Sequence, residues 1–141
     1  MIMYKIAYVL FCAIVFIACH KKEDPADCGA RVCTEEFRSL YFRFTDKDGK
    51  PVEVNNFSAI NTRTGKEIKV AMKEYWLPPP GMFLVLDDSY TKSLSEEGDN
   101  INVTGTSKVT GQTKSAVLKV SGGKCACHIE KLSGPESISF D

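Results

Sequence analysis

Ser39-Leu40-Tyr41-Phe42-Arg43-Phe44-Thr45 sets apolar Leu40, Phe42 and Phe44 against Ser39, Tyr41, Arg43 and Thr45. Successive side chains of a strand point to opposite sides, so this alternation predicts an extended segment with one apolar face. Asp46-Lys47-Asp48-Gly49-Lys50-Pro51 follows and ends the strand with turn chemistry. The same period continues downstream. Segments 57–62 and 67–72 read as a hairpin closed through Arg63-Thr64-Gly65-Lys66, where Gly65 accepts a positive φ at no steric cost. Ile68, Val70 and Met72 would face one way, Lys69, Ala71 and Lys73 the other. Pro78-Pro79-Pro80-Gly81 cannot donate to a ladder and marks a rigid connection to 82–86, an apolar run suited to a central strand. Segment 87–100 reads as a polar loop with a helical turn near 92–97, closed by Gly98. A strand begins at Ile101, and another has Ala116, Leu118 and Val120 alternating with Ser115, Val117, Lys119 and Ser121. Segments 125–132 and 137–140 complete the set. Seven to eight short strands without long helical patterns between them predict an all-β fold, an antiparallel β-sandwich.

Upstream of this domain the composition changes. Lys5 precedes an apolar run over 6–17, shorter than the roughly 20 residues a transmembrane helix needs, and the run ends in His20-Lys21-Lys22-Glu23-Asp24. Phe16-Ile17-Ala18-Cys19 resembles the lipobox of bacterial lipoproteins, which implies cleavage before Cys19 and acylation of its sulfur. The expected organisation is a signal helix over 1–18 that is removed, a lipidated flexible tether over 19–27, and a disulfide-stabilised domain over 28–141. Lys22-Glu23-Asp24 resembles the surface-export signal of Bacteroidota lipoproteins, a lysine followed by acidic residues. That resemblance implies the cell-surface side of the outer membrane, with the periplasmic face as the alternative.

The chain carries 18 Lys plus Arg against 18 Asp plus Glu, a net charge of zero that argues against a nucleic-acid partner. Of six cysteines, Cys12 lies in the signal and Cys19 takes lipid. Cys28, Cys33, Cys125 and Cys127 remain, an even set in an exported chain, which predicts disulfides. Two bridges from the 28–33 segment to the 125–127 segment would staple both ends of the domain. A Cys125 to Cys127 bond is disfavoured, since strand neighbours two apart point the same way, and a local Cys28 to Cys33 link stays open. On a strand over 125–132, Cys125, Cys127 and Ile129 would share the inward face while His128 and Glu130 project from the other. That placement keeps His128 away from the thiols and argues against a metal, and no cofactor is expected.

Enzymatic patterns are missing: the chain contains no Gly-x-Ser-x-Gly, His-Glu-x-x-His or phosphate-binding glycine loop. Asp87-Asp88 and Glu96-Glu97 sit in polar stretches and read as solvated charge. The candidate contact residues are aromatic. Tyr75 and Trp76 stand beside the proline run and Tyr90 lies in a polar setting, and exposed aromatics stack on sugars or anchor protein partners. The competing reading places Trp76 as a plug at one end of the sandwich.

Taken together, Cys28, Cys33-Thr34-Glu35, Asp46-Lys47-Asp48-Gly49-Lys50-Pro51-Val52, Thr64-Gly65, and Cys125-Ala126-Cys127-His128-Ile129 with Ser133-Gly134-Pro135 carry a wider likeness. On these residues the domain resembles small Bacteroidota lipoproteins with an immunoglobulin-like or transthyretin-like fold, akin to carboxypeptidase regulatory-like domains. The resemblance implies that sandwich fold and a location at the cell envelope. The expected function is a lipid-anchored, non-enzymatic binding or accessory module. It would be held to the membrane by its N-terminal lipid, with two alternatives for what it contacts: a glycan-binding module, or a protein-interaction or peptidase-inhibitor module.

Overall fold

Phe42 and Phe44 are fully buried, and the strand that carries them, β1 (Ser39–Thr45), is the middle strand of a three-stranded sheet. The computed structural model describes residues 28–71 and 78–141. The signal segment over 1–18, Cys19, Lys22, Glu23, Asp24, Tyr75 and Trp76 lie outside the described residues.

Downstream come β2 (Val54–Asn61), the two-residue β3 (Lys66–Glu67), β4 (Met82–Asp87) and a 3-10 helix (Asp88–Ser93). They are followed by β5 (Asp99–Ser107), β6 (Thr113–Ser121), β7 (Glu130–Ser133) and β8 (Ser137–Ser139). The strands form two sheets, ordered β4-β1-β8 and β3-β2-β5-β6-β7. All-β sandwich architecture is therefore what the alternation encodes. Ile101, Val103, Leu118 and Val120 of the larger sheet bury their side chains against Phe42, Phe44, Val85 and Leu86 of the smaller one.

Several strands differ from the local pattern, each for a physical reason. Among the described residues all strand pairs are antiparallel except one: β8 runs parallel to β1, with Phe44 opposite Ile138. The chain reaches that position by crossing from the edge of the larger sheet at β7 to the edge of the smaller one, which places Phe140 in the core. The apolar run 82–86 forms an edge strand, not a central one. It stays apolar because Val85 and Leu86 enter the core while Met82, Phe83 and Leu84 are half-buried. The expected strand over 125–132 begins only at Glu130, since two disulfides and a turn occupy 124–128. The helical turn starts at Asp88, earlier than expected, because the Asp87 carboxylate caps it by accepting from Ser89 N.

The hairpin turn between β2 and β3 is present, with Gly65 at φ 67° and its N–H donating to Asn61 O at 2.8 Å. Its second strand is only Lys66–Glu67 and not 67–72: residues 68–71 leave the strand, and Lys69 N and O are both bonded to the Tyr90 hydroxyl. The first strand begins at Val54, and the register slips between Asn55 and Ser58, where Asn56 adopts φ 52°. Such a bulge turns the side chain that follows, and here Phe57 stacks on Phe83 at 4.8 Å between ring centroids. Phe44 gathers the aromatic core: Phe42 and Phe83 meet its edge at 5.3 and 5.5 Å, and Phe140 stacks on it at 5.7 Å. Gly105 makes room for it. A Cβ there would lie 2.7 Å from the Phe44 ring.

Candidate functional site

The N-terminal arm, residues 28–38, reaches β1 along one end of the sandwich, where the 3-10 helix and the loop over 122–129 also lie. Two disulfides fasten it there. Cys28 bonds Cys125 and Cys33 bonds Cys127, across 97 and 94 residues of sequence. Of the connectivities the sequence leaves open, the structure has the pair that joins the two segments, and the local Cys28 to Cys33 link is not formed. All four thiols of the domain are thereby consumed.

Beside the second bridge, the arm and the loop meet again through side chains. His128 Nε2 lies 2.9 Å from Thr34 Oγ1, and Nδ1 of the same ring lies 2.7 Å from Asp88 Oδ2. That carboxylate accepts two more bonds, from Arg38 N to Oδ2 and from Ile129 N to Oδ1, both at 2.8 Å. Burial pushes the Asp88 pKa up, but the bonds from Arg38 N, His128 and Ile129 N outweigh it and hold the group below the ordinary carboxylate range. The expected outward orientation of His128 and the solvated reading of Asp87-Asp88 are both corrected: Asp87 is buried as the helix cap. The His128 and Asp88 side chains are 12% and 8% exposed, because the loop carrying His128 is not a strand and folds onto the helix.

A carboxylate on Nδ1 and a hydroxyl on Nε2 is also the order of groups in acyl-transfer triads. Such chemistry needs hydrogen-bond donors aimed at a developing oxyanion. Here the main-chain N–H groups of Arg38 and Ile129 are both spent on Asp88. What the arrangement does is join the arm, the helix and the loop through one carboxylate.

Tyr90, expected as an exposed contact, is half-buried against the core. Its hydroxyl donates to Lys69 O and accepts from Lys69 N, each at 2.9 Å, which pins the residues after β3. Glu96 and Glu97 are exposed, as solvated charge should be.

A second carboxylate, Asp99, is buried at the same end with a side chain 1% exposed. It accepts from Arg63 Nε at 2.6 Å, Asn61 Nδ2 at 2.7 Å and Ser95 Oγ at 2.8 Å. The Arg63 bond above all, with Asn61 and Ser95, drives its pKa far below the ordinary range against the effect of burial. Composition alone did not single this group out. The signal that could have found it is an Asp opening an apolar alternation, where a strand end would bury it.

An apolar cleft of about 630 Å³ opens between β2 and β4, lined among others by Phe57, Ile68, Val70, Pro79, Met82 and Phe83. Glu53 and Lys108, paired at 2.8 Å, stand at its margin. The rings of Phe57 and Phe83 both line this cleft. No family model matches this chain, and no curated protein or solved structure matches it either.

Proposed function

We propose that the protein is a lipid-anchored lipoprotein of the cell envelope, carried on Cys19, whose β-sandwich serves as a non-enzymatic binding or accessory module. The observation that carries this reading is the pair of disulfides closing nearly the whole domain. Bonds of this kind form and persist where thiols are oxidised, outside the cytosol, in keeping with the export signal read at 1–18. Lys22-Glu23-Asp24 favours the outer membrane and its cell-surface side. The use of His128 and Asp88 as a fastening between segments, with nearby donors already committed, favours binding over catalysis.

The contact surface this reading favours is the cleft containing Phe57 and Phe83, where aromatic and proline surfaces suit an apolar protein segment or the face of a sugar ring. Cross-linking on intact cells followed by pull-down tests it. The expected result is an envelope protein cross-linked near Met82 or Phe83, or polysaccharide binding on an array that Phe83→Ala weakens. Recovery of the protein alone, together with no glycan binding, would overturn the module reading. Protease treatment of intact cells tests the side of the membrane, with degradation expected and full survival arguing for the periplasmic face.

A further inference from the structure

Val32 is 98% exposed and Phe37 is 65% exposed, both on the arm over 28–38. This arm is not a loose tail. The bridges at Cys28 and Cys33 anchor it, the Arg31 guanidinium donates to Cys125 O at 3.0 Å, and Thr34 meets His128. An apolar side chain held outward on a fastened segment keeps its surface exposed. Exposure alone does not mark a contact, since Val109 at the far end is 85% exposed as well; what sets Val32 and Phe37 apart is their place next to the tether.

The chain outside the described residues indicates what covers them. Resting on the lipid anchor proposed above, Cys19 precedes Cys28 by nine positions (28 − 19 = 9). A fully extended chain covers at most about 3.5 Å per residue, so the arm lies within roughly 30 Å of the acylated sulfur. The opposite end of the sandwich, with the turns over 46–51 and 108–112, is a further strand length away. β5 alone has nine residues, about 30 Å at strand rise. The disulfide-tied end is therefore the end that the tether keeps nearest the lipid.

We infer that this end docks on the membrane carrying the anchor, inserting Val32 and Phe37 into the interfacial zone of the lipid. The charges around them do not supply the attraction. Arg31, Arg38, Lys92, Lys124 and Lys131 are largely offset by Glu35, Glu36, Glu96 and Glu130, so docking is mainly apolar and tolerates salt and headgroup changes.

Hydroxyl-radical footprinting of the full-length lipoprotein tests this. The protein is reconstituted in zwitterionic phosphatidylcholine vesicles and compared with the same protein released from its anchor by proteolysis of the tether. Intact mass reports acylation of Cys19 beforehand. Labelling of Val32 and Phe37 is expected to fall about tenfold on the vesicles, the ratio for a domain docked nine-tenths of the time, and to stay low in high salt. Val109, 85% exposed in the turn at the far end, is expected to label equally in both states. Phe37→Ser, at a position with little to lose in folding, should return Val32 labelling toward its released value. Acylated protein whose Val32 and Phe37 label equally on and off the membrane overturns the docking alone. Equal protection of both residues in the released protein assigns the surface to a second copy and also overturns it. An unacylated Cys19 overturns the anchor and the docking with it.

Discussion

Asp88 Oδ2 sits 2.7 Å from His128 Nδ1 although forty positions separate the two residues in the chain. The contact is the centre of a fastening in which one carboxylate takes bonds from the arm, the loop and the imidazole. Replacing Asp88 by Asn keeps the shape but brings an amide N–H₂ toward groups that are themselves donors. Asp88→Asn is expected to cost about 2 kcal/mol, within the range for an unsatisfied buried group, read as a lower urea midpoint with unchanged m-value.

Acid should loosen the same end of the molecule. Asp88 and Asp99 both have folded pKa values below the ordinary one. The unfolded state then binds more protons as pH falls, so the stabilisation is present above about pH 4 and declines below it. A thermal melt series from pH 6 to pH 2 should show the midpoint falling below about pH 4. Asp99→Asn should flatten that fall. A wild-type profile that is level down to pH 2 would contradict the assignment.

The two disulfides should contribute unequally depending on whether the other is present. They close nearly the same loop, 97 and 94 residues, so with one intact the second removes only the entropy of the short segments between them. In the chain-entropy model, Cys33→Ser with Cys127→Ser is expected to cost about 2 kcal/mol. Removing both bridges should cost about 4 to 5 kcal/mol more. Equal and additive losses in denaturant titrations would show that this accounting is wrong.

Gly105 is expected to be intolerant of a methyl group. A Cβ there would fall 2.7 and 2.9 Å from the rim of Phe44, a ring already enclosed by Phe42, Phe83 and Phe140. Gly105→Ala should destabilise by about 1–3 kcal/mol through overpacking. Phe44→Leu introduced beside it should recover part of that loss, so that the double mutant is more stable than the sum of the singles.

Tyr90→Phe separates anchoring from recognition. The variant loses both bonds to Lys69 and is expected to be about 1 kcal/mol less stable. Binding of any partner at the Phe57 and Phe83 cleft should be preserved in a pull-down performed well below the melting temperature.

How much of this was legible differs from residue to residue. His128 stood out because it is the one histidine of the domain, yet nothing near it in sequence announced Asp88 or Thr34. Asp87-Asp88-Ser89 does carry a local signal, the capping pattern that starts the 3-10 helix. That signal explains Asp87 and leaves the role of Asp88 open, since a carboxylate one residue into a helix is as much at home in water as against an imidazole. The cleft was equally hidden. It depends on the bulge at Asn56, whose positive φ turns Phe57 onto Phe83, and an asparagine within an alternating run does not advertise that conformation.

By itself the sequence determined the elements: the buried face of β1 through Phe42 and Phe44, the Asp46 turn in which one carboxylate oxygen accepts from both Asp48 N and Lys50 N, and the Gly65 hairpin. It also determined that four cysteines belonged together. These follow from interactions spanning a few residues, where period, turn chemistry and chain stiffness act directly. Tertiary structure alone decided that β8 lies parallel to β1, that β4 is an edge, which cysteines pair, and that Asp88 and His128 meet. Those outcomes require distant segments to be brought together, and that cost is recovered only through the shared core formed around Phe44 and Phe140.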